Sequence, residues 1–218
     1  PLIILTGPTA VGKTDLSIKL SKSLNAEIIS ADSMQIYKYM DIGSAKITKE
    51  EMDNVVHHMI DEVTPDVPFS VSEFQTRSEK YINDIHERGK RVLVTGGTGL
   101  YLNSLIYNMD FAKSDANNEI REKLEKELEE NGIDYMHEKL RSLDEDAANR
   151  IHKNNTKRVI RAIEVCLSGN KMNDFSKDLR YNEKYKPIII VLNRDREVLY
   201  QRINKRVDIM LENGLLDE

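Results

Sequence analysis

The N-terminal segment combines a short apolar run with a glycine-rich loop and a helix-forming stretch. The apolar run Leu2–Leu5 is followed by Gly7–Thr14, which fits the pattern G-x-x-x-x-G-K-[ST], and Asp15–Ser23 suits a helix. In such a loop, successive backbone N–H groups point inward and the N-terminus of the next helix adds positive partial charge. The order of strand, loop and helix is therefore typical of a phosphate-binding site.

We expect this loop to hold phosphate groups along its whole length, with Lys13 as a mobile cation and the Thr14 hydroxyl as a ligand for Mg²⁺. A glycine turn that only links a strand to a helix is the alternative. The pattern by itself does not identify the phosphate compound. The residues assigned to the site are Gly7, Pro8, Thr9, Ala10, Val11, Gly12, Lys13 and Thr14.

Composition limits the classes of protein to which the chain can belong. With 218 residues, 39% hydrophobic and 32% charged, it is expected to form one α/β domain with a smaller attached unit in a soluble globular protein. No apolar run is long enough to span a bilayer and no signal segment opens the chain, which favours a cytoplasmic location. The single cysteine excludes an internal disulfide, and a net charge of −5 argues against generic nucleic-acid binding but leaves room for a local basic channel.

Alternating strand and helix signals predict a mostly parallel sheet flanked by helices. Ligands of such sheets bind beyond the carboxyl ends of the strands, so the segments after the first three strands are expected to converge on one crevice. The predicted strands are 2–6, 27–30, 91–95 and 187–192, a helix is predicted at 74–88, and the converging segments are 7–14, 31–33 and 96–99.

Strand signals are absent over 111–186, which reads as a helical insertion with an acidic first half and a basic second half. The predicted domains are a first part of the core at 1–110, the insertion at 111–186, and a return to the core at 187–218. Glycine and apolar residues at the end of the chain favour further structure beyond it. Helices are predicted within the insertion at 119–131, 135–142, 144–151 and 156–168.

The residues directly after the predicted strand Arg91–Thr95 argue against some classes of phosphate-binding enzyme. Enzymes that hydrolyse ATP or GTP usually place an aspartate there to hold Mg²⁺ through water. This chain has Gly96-Gly97-Thr98 instead, and it has no N-K-x-D guanine reader. A small-molecule kinase remains possible, because Asp32 comes after the second predicted strand and can act as a general base.

Seven motifs along the chain resemble those of the tRNA dimethylallyltransferases, also called isopentenyl transferases, and they occur in the same order as in that family. The resemblance covers nearly the whole chain, and only the first motif would be decisive without the others. The motifs are Gly7–Thr14, Ser30–Tyr37, Met40–Lys46, His57–Asp61, Gly96–Tyr101, Arg158–Val165 and Gln201–Met210. Small departures are Ile163 in place of the commoner Leu and Lys157 where several members have Gln, and family members continue past residue 218.

The resemblance implies transfer of a dimethylallyl group from dimethylallyl diphosphate to N6 of the adenosine 3′-adjacent to the anticodon in tRNA, with release of diphosphate. It implies a P-loop-like α/β core, Mg²⁺ as cofactor, the tRNA anticodon stem-loop as partner and a monomeric protein. Asp32 would accept the N6 proton, with Thr14 and Arg206 completing the catalytic set. Taken alone, Asp32 is better explained by capping a helix or holding Mg²⁺ through water, and Arg206 by an exposed helix surface.

The resemblance also implies a set of tRNA contacts. Near Asp32, the residues Ser33, Met34 and Gln35 would line the adenine pocket, with Thr98 contributing from the glycine turn. Contacts from the insertion are expected at Arg121, Lys157, Arg158, Val159, Ile160 and Arg161. A tight turn at Gly96–Gly99 and ordinary surface charge on the helix are the alternatives. The histidine pair His57-His58 is not expected to bind metal, because adjacent histidines point apart, and it is interpreted as structural or as shaping the pocket.

Three other functions stay open on the sequence alone. A nucleoside or metabolite kinase would hold ATP in the loop and use Asp32 to activate a hydroxyl. A free-nucleotide isopentenyltransferase would use the same loop and base without needing basic residues in the insertion. A non-catalytic RNA-binding module would leave the association of a phosphate loop with a carboxylate unexplained.

Overall fold

A computed structural model gives the conformation of residues 1–109, 111, 118–170 and 179–218, with the backbone alone at residue 118. The chain divides into two compact units. Unit 1 contains Pro1–Asn108 and Arg180–Glu218, and unit 2 contains Met109–Leu179. The strands of these ranges all belong to unit 1, and unit 2 is helical in the part of it that the structure describes.

Unit 1 is built on a parallel sheet of five strands within the described ranges, in the order β3-β2-β4-β1-β5. Parallel pairing aligns Ile3 of β1 with Leu93 of β4 on one side and with Ile188 of β5 on the other. The predicted parallel sheet is confirmed, and the two-residue β3 is added to the strands predicted from the sequence. The strands are β1 Ile3–Thr6, β2 Ala26–Ser30, β3 His57–His58, β4 Arg91–Gly96 and β5 Ile188–Val191.

Helices cover the sheet in unit 1 and form all the regular structure described in unit 2. They are α1 Lys13–Leu24, α2 Lys49–Met52, α3 Val71–Glu87, α4 Gly99–Ile106, α5 Asn118–Leu143, α6 Glu145–Arg150, α7 Thr156–Leu167 and α8 Arg196–Glu212. The helix α3 starts at a capping box in which Ser70 and Glu73 satisfy each other's backbone N–H groups, as an S-x-x-E sequence predicts. Among the described helices, none is both long and apolar enough to cross a membrane.

The core of unit 1 lies between the sheet and its helices. Apolar side chains from adjacent parallel strands, such as Ile4 and Val94, are fully buried because helices cover the sheet. Phe74 of α3 is also fully buried and stacks on Tyr101 of α4 at a centroid distance of 4.1 Å. Tyr101 is therefore a packing residue that joins two helices.

Unit 2 packs α5 against α6 and α7 around its own apolar cluster, which includes Leu124, Met136 and Ile163. The backbone of Gly132, with φ of 80°, is not helical and interrupts α5. This break confirms the sequence-based prediction of two helices at 119–131 and 135–142, because glycine adopts positive φ without steric cost.

A buried carboxylate ties the amino ends of two strands to the end of α3. Glu27 of β2 is 3% exposed, and its carboxylate accepts hydrogen bonds from Arg88 at 2.7 Å and Lys90 at 3.0 Å, while His58 Nε2 lies 2.7 Å away. Burial alone raises the pKa of Glu27, but hydrogen bonds from His58, Lys90 and Arg88 outweigh it and bring the pKa to about 2. His58 is thus part of a structural ion-pair cluster, and no group of three metal-ligating side chains occurs in the described residues.

Replacing Glu27 with Gln is expected to lower the free energy of unfolding at pH 7 by about 1.5–3 kcal/mol, with solvent screening at the half-exposed Arg88 favouring the lower end. The pKa of Glu27 is depressed on folding, so its stabilisation is complete above about pH 4.5 and is lost as pH falls towards 2. Urea unfolding of wild type and Glu27→Gln should therefore differ at pH 7 and converge near pH 2. The exposed Glu87→Gln variant serves as control, and equal stability of Glu27→Gln and wild type at pH 7 would contradict this account.

Candidate functional site

The loop between β1 and α1 presents backbone N–H groups that no side chain caps. Gly12 is the N-cap of α1 and adopts the left-handed conformation, with φ of 105°, which few other residues tolerate. Because glycine has no side chain, the first N–H groups of α1 receive no side-chain hydrogen bond. A helix N-terminus in this state is a site for an anion, as the sequence pattern predicts.

Lys13 lies folded back across the loop. Its Nζ donates to the carbonyl oxygens of Gly7 at 2.8 Å and Pro8 at 2.9 Å. Burial lowers the pKa of Lys13, the nearby Asp32 carboxylate raises it and Arg206 lowers it, with a net lowering. The ammonium group is thus held by two carbonyls of the loop, which a phosphate oxygen can replace as its partner.

Thr14 occupies the first turn of α1 with an exposed side chain. A single hydroxyl suits Mg²⁺, because this ion keeps several waters and takes its remaining ligands from substrate phosphates. The donor set at the loop therefore fits Mg²⁺ bound together with a diphosphate, and it does not resemble a closed metal cage.

Asp32 lies two residues after the end of β2, just before a turn, and is in electrostatic contact with both cations of the site. Its charge raises the pKa of Lys13 and of Arg206 against the larger lowering effect of burial. Its Oδ1 accepts from the backbone N–H of Met34 at 2.9 Å and of Gln35 at 3.4 Å, so the carboxylate does cap the next turn. Oδ2 makes no hydrogen bond with any described residue, which leaves one carboxylate oxygen for a substrate.

The segment after β4 joins the segment after β2, as predicted for a parallel sheet. The Thr98 hydroxyl accepts from the backbone N–H of Ser33 at 3.0 Å and lies 3.3 Å from the Ser33 hydroxyl, to which it donates. The backbone N–H of Thr98 donates to the carbonyl of Ala31 at 3.1 Å. The tight-turn explanation and the pocket explanation of Thr98 are therefore compatible.

Two arginines of α8 reach the site. Arg206 is half-buried and its Nη2 donates to the carbonyl of Ser44 at 3.4 Å, while burial lowers its pKa. Arg202 Nε donates to the carbonyl of Ala10 at 2.6 Å. Both guanidinium groups thus bind backbone of the predicted site, and Arg202 itself lies on an exposed surface.

Arg194 also binds the loop, although sequence reasoning did not identify it. Its Nε donates to the carbonyl of Val11 at 2.9 Å. The signal was its position shortly after β5, because residues at the carboxyl end of a parallel strand face the ligand crevice.

The remaining residues of the predicted adenine pocket differ in how available they are. Met34 is 44% exposed. The Gln35 amide donates to the carbonyls of Ser44 at 3.4 Å and Ala45 at 3.2 Å, and its oxygen lies 3.5 Å from the Ser30 hydroxyl. Gln35 would have to exchange these long contacts to read a base edge.

The predicted tRNA contacts in unit 2 include exposed residues, ion-paired residues and buried residues. Lys157 and Arg158 are exposed on α7. Arg121 and Arg161 bind the fully buried carboxylate of Glu164 at 3.0 Å and 2.9 Å. Burial raises the pKa of Glu164, and its hydrogen bonds to the two arginines lower it further than burial raises it.

Two predicted tRNA contacts require correction. Val159 and Ile160 are 1% and 6% exposed and pack in the core of unit 2, so their side chains do not face a ligand. We assign both residues to the core and keep the four basic residues as candidate contacts.

Gly96 permits the close approach of β4 to the segment that carries Asp32. A Cβ at Gly96 would lie 2.2 Å from the carbonyl oxygen of Ala31, so an Ala side chain would force the two backbones apart.

The substitution Gly96→Ala should lower the free energy of unfolding by about 1–3 kcal/mol. In thermal unfolding, the Tm should fall by about 2–4 °C for each kcal/mol lost. Gly99→Ala is the control, because its Cβ would meet nothing within 4 Å, and equal Tm for the two variants would contradict the argument.

Comparisons with known proteins identify the family of the chain. The sequence model of the family described as IPP transferase matches residues 35–218. A tRNA dimethylallyltransferase of Clostridioides difficile (strain 630) is 78% identical over 218 residues, which span the whole chain and 70% of that relative.

Two solved structures are also similar. The tRNA delta(2)-isopentenylpyrophosphate transferase of Staphylococcus epidermidis is 48% identical with a TM-score of 0.65, over 99% of this chain and 71% of that one. A eukaryotic dimethylallyltransferase, described as acting on tRNA, is 33% identical with a TM-score of 0.83, over 99% of this chain and 54% of that one. The predicted P-loop-like α/β fold is thus confirmed.

Proposed function

Because the chain belongs to the IPP transferase family, we propose that it transfers a dimethylallyl group from dimethylallyl diphosphate to tRNA. The acceptor is N6 of the adenosine 3′-adjacent to the anticodon, and diphosphate is released. The observation that carries this proposal is the proximity of an anion-binding loop, two cations and the Asp32 carboxylate at one edge of the sheet. Nothing in the structure or the comparisons favours a kinase.

The loop side of the site stabilises the leaving group. As the allylic C–O bond breaks, negative charge builds on the diphosphate oxygen that departs. The amides at the start of α1, the Lys13 ammonium and the Arg206 guanidinium face this charge, so they bind the transition state more strongly than the substrate. Mg²⁺ bound to the diphosphate and the Thr14 hydroxyl would neutralise further charge there.

Asp32 acts on the acceptor. The lone pair of an adenine amine is delocalised into the ring, which makes N6 a poor nucleophile. A carboxylate oxygen that accepts one N6 proton orients the lone pair and takes the proton as the C–N bond forms. The oxygen available for this step is Oδ2, since Oδ1 is held by the backbone of Met34 and Gln35.

The adenine has to leave the anticodon-loop stack before it meets Asp32. We assign Ser33, Met34, Gln35 and Thr98 to the pocket that receives it. The Gln35 amide both donates and accepts, so it can pair with an adenine edge once its bonds to Ser44 and Ala45 are exchanged.

Unit 2 supplies contacts to the RNA backbone in this proposal. Lys157 and Arg158 are exposed on α7, whereas Arg121 and Arg161 are engaged in ion pairs with Glu164. The Glu164 carboxylate holds the latter two guanidinium groups in place, and we keep both arginines as candidate phosphate contacts. We propose the anticodon stem-loop of tRNA as the partner and a monomer as the active form. We also propose a cytoplasmic location, because tRNA is present in the cytoplasm.

The experiment that tests the function is incubation of the protein with Mg²⁺, labelled dimethylallyl diphosphate and one of three acceptors. These are unmodified tRNA, AMP and a control RNA without an anticodon stem-loop. Label in tRNA alone, located at N6 of the adenosine beside the anticodon, is the expected result. Label in AMP, or ATP hydrolysis without prenyl transfer, would refute the proposal.

Asp32→Asn should lower kcat by about 10²–10⁴-fold, because the amide keeps an oxygen for the turn but cannot accept the proton. Binding of tRNA, measured by filter retention, should stay within a few-fold of wild type. Asp32→Ala should lose transfer as well, and the exposed Asp66→Asn serves as control. Full activity of Asp32→Asn would remove Asp32 from the role of base.

The double variant Lys157→Ala/Arg158→Ala should weaken tRNA binding. The slope of the logarithm of the binding constant against the logarithm of the salt concentration should become shallower by up to about 1 for each lost phosphate contact. The KM for dimethylallyl diphosphate should not change, because neither residue is assigned a contact to the diphosphate. Lys123→Ala/Lys126→Ala on α5 removes the same charge from an acidic surface and serves as control. An unchanged salt slope for the α7 variant would show that these residues do not meet phosphates.

A further inference from the structure

The segment Asp41–Lys46, named here the 41–46 loop, touches both sides of the proposed site. The carbonyl oxygen of Ser44 accepts from Gln35 Nε2 and from Arg206 Nη2, each at 3.4 Å. The carbonyl of Ala45 accepts from Gln35 at 3.2 Å. One stretch of backbone therefore holds a residue assigned to the adenine and a residue assigned to the diphosphate.

The amide side of the same loop is held by the carboxylate of Glu218. One oxygen of Glu218 accepts from the N–H groups of Asp41 at 2.6 Å and Ile42 at 2.7 Å, and the other accepts from Gly43 at 2.8 Å. The hydrogen bonds from Gly43, Ile42 and Asp41 lower the pKa of Glu218. Charge-assisted bonds to three successive amides fix a loop better than a single neutral contact does.

Lys46 anchors the other end of the loop. Its side chain is 5% exposed, and its Nζ binds Asp41 at 2.5 Å, Asp61 at 2.6 Å and the carbonyl of Tyr37 at 2.7 Å. The 41–46 loop is thus fixed at both ends, by Glu218 and by Lys46. Of these two anchors, Glu218 lies outside the segment 37–61.

That outer anchor belongs to the same chain segment as Arg206. Helix α8 carries Arg206 and ends at Glu212, and a turn then leads to Glu218, whose N–H donates to Gly214 at 3.1 Å. The segment therefore meets the 41–46 loop at two points, through Arg206 at Ser44 and through Glu218 at the amides. Two points of attachment restrict how the guanidinium group can move relative to the loop.

We propose that Glu218 is a positioning residue for prenyl transfer, which holds the 41–46 loop so that Arg206 and Gln35 keep their places at the two substrates. This inference rests on the proposed function. Glu218 touches neither substrate and acts through the loop backbone. Loss of such positioning costs rate, since a displacement of about 1 Å lowers catalysis by about 100-fold in well-aligned sites.

The test uses Glu218→Ala and the milder Glu218→Gln in the intact protein, with Asp217→Asn as the matched control. Glu218→Ala should lower kcat by about 10–100-fold, with KM for tRNA within a few-fold of wild type, and Glu218→Gln should lie between the two. The Tm of each variant is measured first, and kcat is compared at a temperature at which all are folded. A kcat of Glu218→Ala equal to that of Asp217→Asn overturns the inference.

A double-mutant cycle with Arg206→Ala separates positioning from general stability. If Glu218 acts through Arg206, the effect of Glu218→Ala on kcat should shrink at least about five-fold in the Arg206→Ala background. Independent, multiplicative effects overturn the inference, because a purely structural role would lower both backgrounds alike.

The same cycle is repeated with binding of inorganic diphosphate and Mg²⁺, measured by calorimetry, which requires no prenyl transfer. Coupling between Glu218 and Arg206 in diphosphate affinity supports the positioning role even if wild type failed to modify tRNA, a result that would refute the proposed function alone. Absence of coupling in either cycle, with an active wild type, overturns the positioning role and leaves the function intact.

Discussion

Parallel pairing of β2 with β4, and of β4 with β1, brings the carboxyl ends of three strands to one edge of the sheet. Each end leads into a segment with its own chemistry: the anion-binding loop, the turn that carries Asp32, and the turn that carries Thr98. An antiparallel arrangement would send these segments to opposite edges. The close contact between Gly96 and Ala31 tightens the meeting further, because it admits no side chain between the two turns.

Basic side chains hold the backbone of the anion-binding loop. Carbonyl oxygens of the loop accept from Lys13, Arg194 and Arg202, which come from α1, the end of β5 and α8. Cations on the carbonyl side stabilise the peptide orientation that turns N–H groups toward the ligand. Binding of a diphosphate therefore needs little rearrangement of the loop backbone, which lowers the cost of organising the site.

Carboxylates that touch no substrate organise three regions of the molecule. Glu27 gathers three basic side chains beside the sheet, Glu164 holds two arginines in unit 2, and Glu218 holds three amides of the 41–46 loop. In the first two cases the cost of burying a charge is met by hydrogen bonds to basic partners. Their common effect is to fix the direction of groups that would otherwise move freely.

The sequence alone determined the anion-binding loop, the parallel sheet, the helices of unit 2 and the position of Asp32, because these depend on local periodicity and short motifs. It did not predict the two-residue β3, since so short a strand exists only through its pairing with β2. It placed Val159 and Ile160 among the tRNA contacts, although both lie on the apolar face of α7. Only the tertiary structure revealed Arg194 and Glu218 as partners of Val11 and Asp41, because backbone amides and carbonyls far apart in the chain meet through strand order and helix packing, which no local pattern encodes.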